Sequence, residues 1–364
     1  MKTPVQLIAF VIIFITAGCI KSSVLRRNDP PVAPTTYFPP TNNTAWETTT
    51  PASLHWNENE LENLYPFLQQ KNTKAFIILQ NGKFVSEKYF GAFTADSMWY
   101  WASAGKTATA VVAGIAQQEG LLDINKKTSD YLGLGWTSLP AAKEALITVR
   151  HQLTMTTGLD DGVPESGCTL PSCLRYKSDA GTRWAYHNAP YTLMSNVVEA
   201  ATGTTFNAYF QQKLRDKIGM DGVWVRSGYD NVLFSTPRSM ARFGLLLLNK
   251  GTWNGTAILA DSSYFKTQIT TSQNFNPSYG YLTWLNGKSA YMLPGRQTVF
   301  NGNLIPEAPA DLFAALGKND QKIYVVPSQN LVVIRMGESA GGVVMAASGF
   351  DNELWARLKK IINY

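Results

Sequence analysis

Charge is scarce in this sequence. Asp, Glu, Lys and Arg make up 16% of its 364 residues, too few for a solvated chain without a core. Histidine is scarcer still. His55, His151 and His187 are the whole set, and no two stand at ligand spacing, which argues against a metal centre. The net charge of +6 is modest, and no basic block is interleaved with aromatics, so nucleic acid is not an expected partner. Long apolar runs are missing too. The clearest one, residues 5–15, is shorter than the ~20 residues a membrane-spanning helix needs. Apolar and aromatic side chains are plentiful, at 45% and 12%, which suits one large globular domain or two closely packed ones.

Residues 1–19 read as a signal peptide, with Lys2 before the apolar run and Thr16-Ala17-Gly18 before Cys19. Small residues before a cysteine resemble the lipobox of bacterial lipoproteins, which implies lipidation of Cys19 and a membrane anchor. Thr16 departs from that pattern, where leucine is commoner, and an ordinary secretory cleavage is the other reading. Either way the chain is expected outside the cytoplasm, as a periplasmic or outer-membrane-anchored lipoprotein or a secreted protein. Residues 20–54 are rich in Pro, Thr and Asn and are expected to be a linker without a core, ahead of a domain over 55–364. In an exported protein Cys168 and Cys173, five residues apart, are expected to pair as a small-loop disulfide. That loop shortly precedes Tyr186 and is expected near a substrate mouth.

The stretch Trp101-Ala102-Ser103-Ala104-Gly105-Lys106-Thr107 turns an apolar segment into a helix. Ala108, Ala110, Val111, Val112, Ala113, Ile115 and Ala116 carry no charge, so the helix is expected to be buried all round and to stop at Gly120. Ser103 then lies at the first turn, where unpaired N–H groups favour a developing anion. Lys106, three residues on, shares its helix face. The same letters arise from an N-cap serine followed by a solvated lysine. A lysine opening an otherwise chargeless helix is different: its ammonium loses water, and its pKa falls into the range of a usable base.

Around this element the sequence predicts a helix over 57–70, a hairpin about Asn81-Gly82, a second hairpin over 322–335 and a closing helix over 352–362. Together with Gly120-Leu121-Leu122-Asp123-Ile124, Tyr131-Leu132 and residues 147–159, the Ser-Ala-Gly-Lys stretch resembles the penicillin-recognising serine hydrolases. These include class C β-lactamases, D-alanyl-D-alanine carboxypeptidases and related esterases and amide hydrolases. The resemblance implies an α/β (α+β) fold of the β-lactamase/transpeptidase type. An antiparallel sheet is flanked by N- and C-terminal helices, beside a mostly helical subdomain.

Tyr186-His187-Asn188 stands where that family carries Tyr-x-Asn. In an extended segment Tyr186 and Asn188 face one side and His187 the other. The expectation is acyl transfer through Ser103, with Lys106 and a partly ionised Tyr186 as paired base, and with Asn188 binding both the ammonium and a substrate carbonyl. His151 and His187 are expected to be structural. The family's Lys/His-Thr-Gly is absent. Phe313-Ala314-Ala315-Leu316-Gly317-Lys318-Asn319-Asp320-Gln321 stands in its place and looks more like the esterase and 6-aminohexanoate-oligomer hydrolase branch. The resemblance implies a second oxyanion N–H on this strand, placed by spacing at Ala315. Lys318 or Arg335 could take the place of the lost carboxylate-binding cation, though each reads first as a solvated or structural charge. The expected substrate is a small ester, amide or short peptide-like molecule, with neither metal nor organic cofactor. β-Lactamase, D-alanyl-D-alanine carboxypeptidase or D-aminopeptidase activity stays open, as does a non-catalytic sensor. Oligomeric state is not legible.

Overall fold

The computed structural model describes Met1, residues 36–342 and residues 347–364. The signal segment and Cys19 lie outside the described residues. We label α1 (Glu58–Gln70), β1 (Thr73–Gln80), β2 (Lys83–Tyr89), β3 (Trp99–Tyr100) and α2 (Gly105–Gln118). The chain continues through α3 (Asn188–Thr192), α4 (Met194–Thr202), β4 (Val223–Ser227), β5 (Asp230–Ser235) and α5 (Pro237–Leu248). It ends with β6 (Trp284–Leu285), β7 (Phe313–Gly317), β8 (Gln321–Val326), β9 (Leu331–Gly337) and α6 (Gly349–Ile362).

Six strands form an antiparallel sheet in the order β2-β1-β9-β8-β7-β6. Every residue of β8 and β9 is buried, because helices cover both faces. Alternation along a strand sorts the two. On one face Gly244 of α5 sits so close that a Cβ there would lie 2.6 Å from Val332 Cγ1 and 3.1 Å from Ile323 Cγ2. On the other face Tyr324 meets Trp355 of α6 edge-on at 5.5 Å, and Arg335 lies over the Phe350 ring at 5.0 Å. Helix α1 starts where the Asn57 side chain accepts from the Glu60 N–H. A three-stranded sheet, β3-β5-β4, stands apart and carries the chain into α2.

The expected linker needs correction over its second half. Residues 36–54 are docked on the domain, which forms one compact unit over Thr36–Tyr364 rather than starting at 55. Trp46 stacks on Phe84 with ring centroids 4.4 Å apart and donates Nε1 to the Gly82 carbonyl at 2.7 Å. Phe38 meets Trp253 edge-on at 5.2 Å. Arg242, buried in α5, donates to the Pro40 carbonyl at 2.8 Å and the Ile218 carbonyl at 3.0 Å. Composition concealed this because the attachment uses backbone carbonyls and a few isolated aromatics instead of a periodic apolar face.

Candidate active site

Ser103 sits in one 3-10 turn, Ala102–Ala104, that leads directly into α2. The turn is pinned from below. The Trp101 N–H donates to the Leu233 carbonyl at 2.8 Å and the indole N–H to Ser235 Oγ at 2.8 Å, both on β5. Ala102 holds φ at 47°, a conformation that costs a non-glycine residue on the order of 1 kcal/mol and that aims the next side chain out of the helix. The Ser103 N–H belongs to the first turn, where no intrahelical carbonyl reaches it.

Lys106 is 3% exposed. Its Nζ donates to Ser103 Oγ at 3.1 Å and to Asn188 Oδ1 at 3.0 Å. All of α2 from Gly105 to Ala116 is buried, as its chargeless sequence requires. Burial pushes the ammonium down to about 7, partly opposed by the carboxylate of Asp230. The group nearest the serine hydroxyl is therefore an amine that is substantially neutral near neutral pH.

Tyr186 stacks on Trp284 with centroids 5.7 Å apart and meets Tyr279 edge-on at 6.1 Å. The expected partial ionisation is corrected here. Burial pushes the phenol well above its ordinary value, with the Ser103 hydroxyl acting the other way. The Lys106 ammonium lies over the Tyr186 ring, 5.0 Å from its centroid, and makes no hydrogen bond to its oxygen. The phenol oxygen is buried and makes no hydrogen bond, so Ser103 is near it without closing a bond. Tyr186 is neutral. Asn188 opens α3, and its oxygen is the acceptor for Lys106, as expected.

The expected oxyanion position on this strand, Ala315, does not hold either. Ala315 is buried within β7, opposite Ile323, and does not line the cleft. The strand meets the serine turn two residues later. A Cβ on Gly317 would lie 2.4 Å from the Trp101 carbonyl oxygen and 2.9 Å from the Ala104 nitrogen, so only glycine fits. Lys318 follows and lines the cleft, as Ala315 does not. Arg335 is no substitute for a carboxylate-binding cation. It is fully buried, and its donors serve Thr73 Oγ1 and the carbonyls of Lys71, Asn319, Asp320 and Glu338.

His151 holds a helix start, its Nδ1 lying 3.1 Å from both the N–H and Oγ1 of Thr148. His187 is buried and pushed down to about 4 by desolvation. Neither histidine lines the cleft with Ser103. Cys168 and Cys173 are bonded. The loop they close does not line the cleft, contrary to the expectation from its place in the sequence.

The cleft has a volume of about 280 Å³. Besides Ser103, Lys106, Asn188 and Lys318 it is lined by Tyr191 and Asp230. Both escaped the reading of the sequence. Tyr191 had a local signal, three residues after Asn188 on one helix face. Asp230 had none, because only the β4–β5 turn brings it there. A larger cavity of about 670 Å³ lies between residues 41–46 and α5, but its hydroxyls are engaged in capping α5, Thr236 donating to Asp221 Oδ2 at 2.7 Å, and no amine base reaches them as Lys106 reaches Ser103. Among the described residues no acidic, histidine or cysteine cluster could hold a metal ion.

The family model for Beta-lactamase matches residues 67–354, well over half of the chain. An uncharacterized protein of Alkalihalophilus pseudofirmus is 25% identical over 302 residues, covering 72% of this chain and 83% of that protein. A Bacillus anthracis structure provisionally called a 6-aminohexanoate-dimer hydrolase superposes with a TM-score of 0.65 at 18% identity, covering 90% of this chain and 89% of that one. A penicillin-binding protein homolog from Caulobacter crescentus gives 0.64 at 14% identity, with 88% and 98% covered. A penicillin binding protein from Bacillus halodurans gives 0.59 at 15%, with 81% and 99% covered. At such identities the structures attest to the fold alone, and the family model goes further: the chain belongs to the beta-lactamase family.

Proposed function

We propose that the protein is a serine hydrolase that cleaves an ester or amide through an acyl-Ser103 intermediate. The observation that carries this is the placement of Lys106, buried and hydrogen-bonded to both Ser103 Oγ and Asn188 Oδ1. In the first step neutral Lys106 takes the Ser103 proton as Oγ attacks the carbonyl carbon. The oxyanion is held by the N–H groups of Ser103 and Lys318, at about 3–4 kcal/mol per donor. The leaving group departs with a proton from the neutral phenol of Tyr186, which Lys106 replenishes. Water then attacks the acyl group, with Lys106 again as base, and frees Ser103. Asn188 steadies Lys106 throughout and offers its N–H₂ to the substrate.

The second reading is hydrolysis of a lactam or D-amino-acid peptide. Lys318 favours it, as an exposed cation on the cleft that forms no ion pair among the described residues and so remains open to a substrate carboxylate. Export as a lipoprotein through Cys19 belongs to the same proposal, and the Cys168–Cys173 bond supports an oxidising compartment.

The test is a substrate panel of p-nitrophenyl esters, D-amino-acid anilides, short amide oligomers and nitrocefin, run on wild type and Ser103→Ala. Short-chain ester turnover that disappears in the variant is the expected result. Unchanged turnover in the variant would end the assignment, and a response to nitrocefin alone would promote the second reading. Failure of a phosphonate to label Ser103 would revive the sensor reading.

A further inference from the structure

Lys106 is held by more than its two hydrogen bonds. Its Nζ stands 4.0 Å from the centroid of the Tyr191 ring, closer than the 5.0 Å to Tyr186. Tyr191 lines the cleft and is only 7% exposed. Its hydroxyl points away toward Thr109 Oγ1 on α2, a weak contact at 3.5 Å. What Tyr191 presents to the base is therefore its ring face and not its oxygen.

We propose that Tyr191 is a positioning residue for the reaction described above. Its ring face receives the Lys106 ammonium formed when Ser103 gives up its proton, and keeps Nζ on the line between Ser103 and Asn188. This rests on Lys106 being the base. The ground is the ring quadrupole, whose negative face attracts a cation and is nearly indifferent to a neutral amine. Tyr191 thus favours the ammonium over the neutral amine, which makes Lys106 a stronger base and lowers the barrier to taking the Ser103 proton.

Other groups face Lys106 from every side. Ser103 and Asn188 bond it, and Tyr186 contributes a second, more distant ring face. Asp230, from the β4–β5 turn, also favours the ammonium, and Lys318 lines the same cleft. Both charges are exposed and so are screened by water. The Tyr191 ring and Lys106 are both buried, so their contact is screened far less.

The test is kcat and KM against pH for a short-chain p-nitrophenyl ester, using Tyr191→Phe, Tyr191→Leu and Tyr191→Met. Tyr191→Phe keeps the ring and is expected to keep the acid limb of kcat/KM where it stands in the wild type. Tyr191→Leu is expected to move that limb down by about 1 pH unit. It should also lower kcat at least tenfold with KM nearly unchanged. Tyr191→Met, longer and more adaptable, carries the test if the leucine variant does not fold. A limb that stays put in both aliphatic variants overturns the proposal, and so does one that moves up because water fills the vacated space. If the wild type shows no Ser103-dependent hydrolysis, the parent reading fails instead, so the two failures are distinct.

Discussion

Replacing Lys106 by methionine should remove activity and stabilise the protein, in a manner that depends on pH. The ammonium titrates at about 7 in the fold against an ordinary 10.5. Below pH 7 the fold must accommodate a charge that burial disfavours. At about 1.4 kcal/mol per pH unit, that penalty is on the order of 5 kcal/mol at its ceiling. Relaxation and water reaching the cleft reduce it to about half. Methionine removes the charge, but it leaves Asn188 Oδ1 without its donor, at about 1–3 kcal/mol. The balance at pH 6 is a small gain, about 0.5 kcal/mol, for Lys106→Met, read as a higher Tm or denaturation midpoint. The sign of the pH dependence follows from proton counting. Between about 7 and 10.5 the unfolded lysine binds a proton that the folded one does not, so wild-type stability rises with pH across this window. The variant has no such term, so its advantage should shrink from pH 7 upward and reverse by about pH 10. Denaturant unfolding of both proteins at pH 6, 8 and 10 measures this. A stability difference that is flat across the three, or that grows with pH, would refute a buried amine of lowered pKa.

Three further outcomes follow from the same geometry. Tyr186→Phe should lower kcat at least a hundredfold while leaving the acid limb of kcat/KM near pH 7, since that limb belongs to Lys106; a limb that disappears would return the phenol to the role of base. Gly317→Ala forces a Cβ to 2.4 Å from the Trp101 carbonyl. It should abolish ester turnover by displacing the serine turn or the strand, and normal kcat would mean that β7 does not border the nucleophile. Removing residues 36–54 strips Trp46 and Phe38 from the domain and exposes Arg242. A fall in stability of about 2–4 kcal/mol by chemical denaturation is expected from the lost apolar burial, and an unchanged midpoint would restore those residues to the status of a free linker.

What could be read from the sequence divides according to how local the signal was. Ser103 and Lys106 lie three apart on one helix, and Tyr186 and Asn188 bracket His187, so short spacings carried most of the site. The caps and hairpins were legible for the same reason. Asn57 caps α1, and the turn at Asn81-Gly82 joins β1 to β2. The misreadings all involve partners far away in sequence. The serine is met by Gly317 and not Ala315 because strand register, set by the pairing of β7 with β8, decides which residue reaches the turn. Tyr186 is neutral because Trp284 and Tyr279, about a hundred residues on, bury it. Residues 36–54 are docked because Arg242 needs carbonyl acceptors. None of these leaves a local trace.

The central claim is that a buried amine activates Ser103. Peptide-mapped mass spectrometry after treatment with a fluorophosphonate, on wild type and Lys106→Met, tests it most directly. A single adduct on Ser103 in the wild type, reduced at least a hundredfold in the variant, is the expected result. Labelling of another residue, or equal labelling of Ser103 in both proteins, would contradict the account.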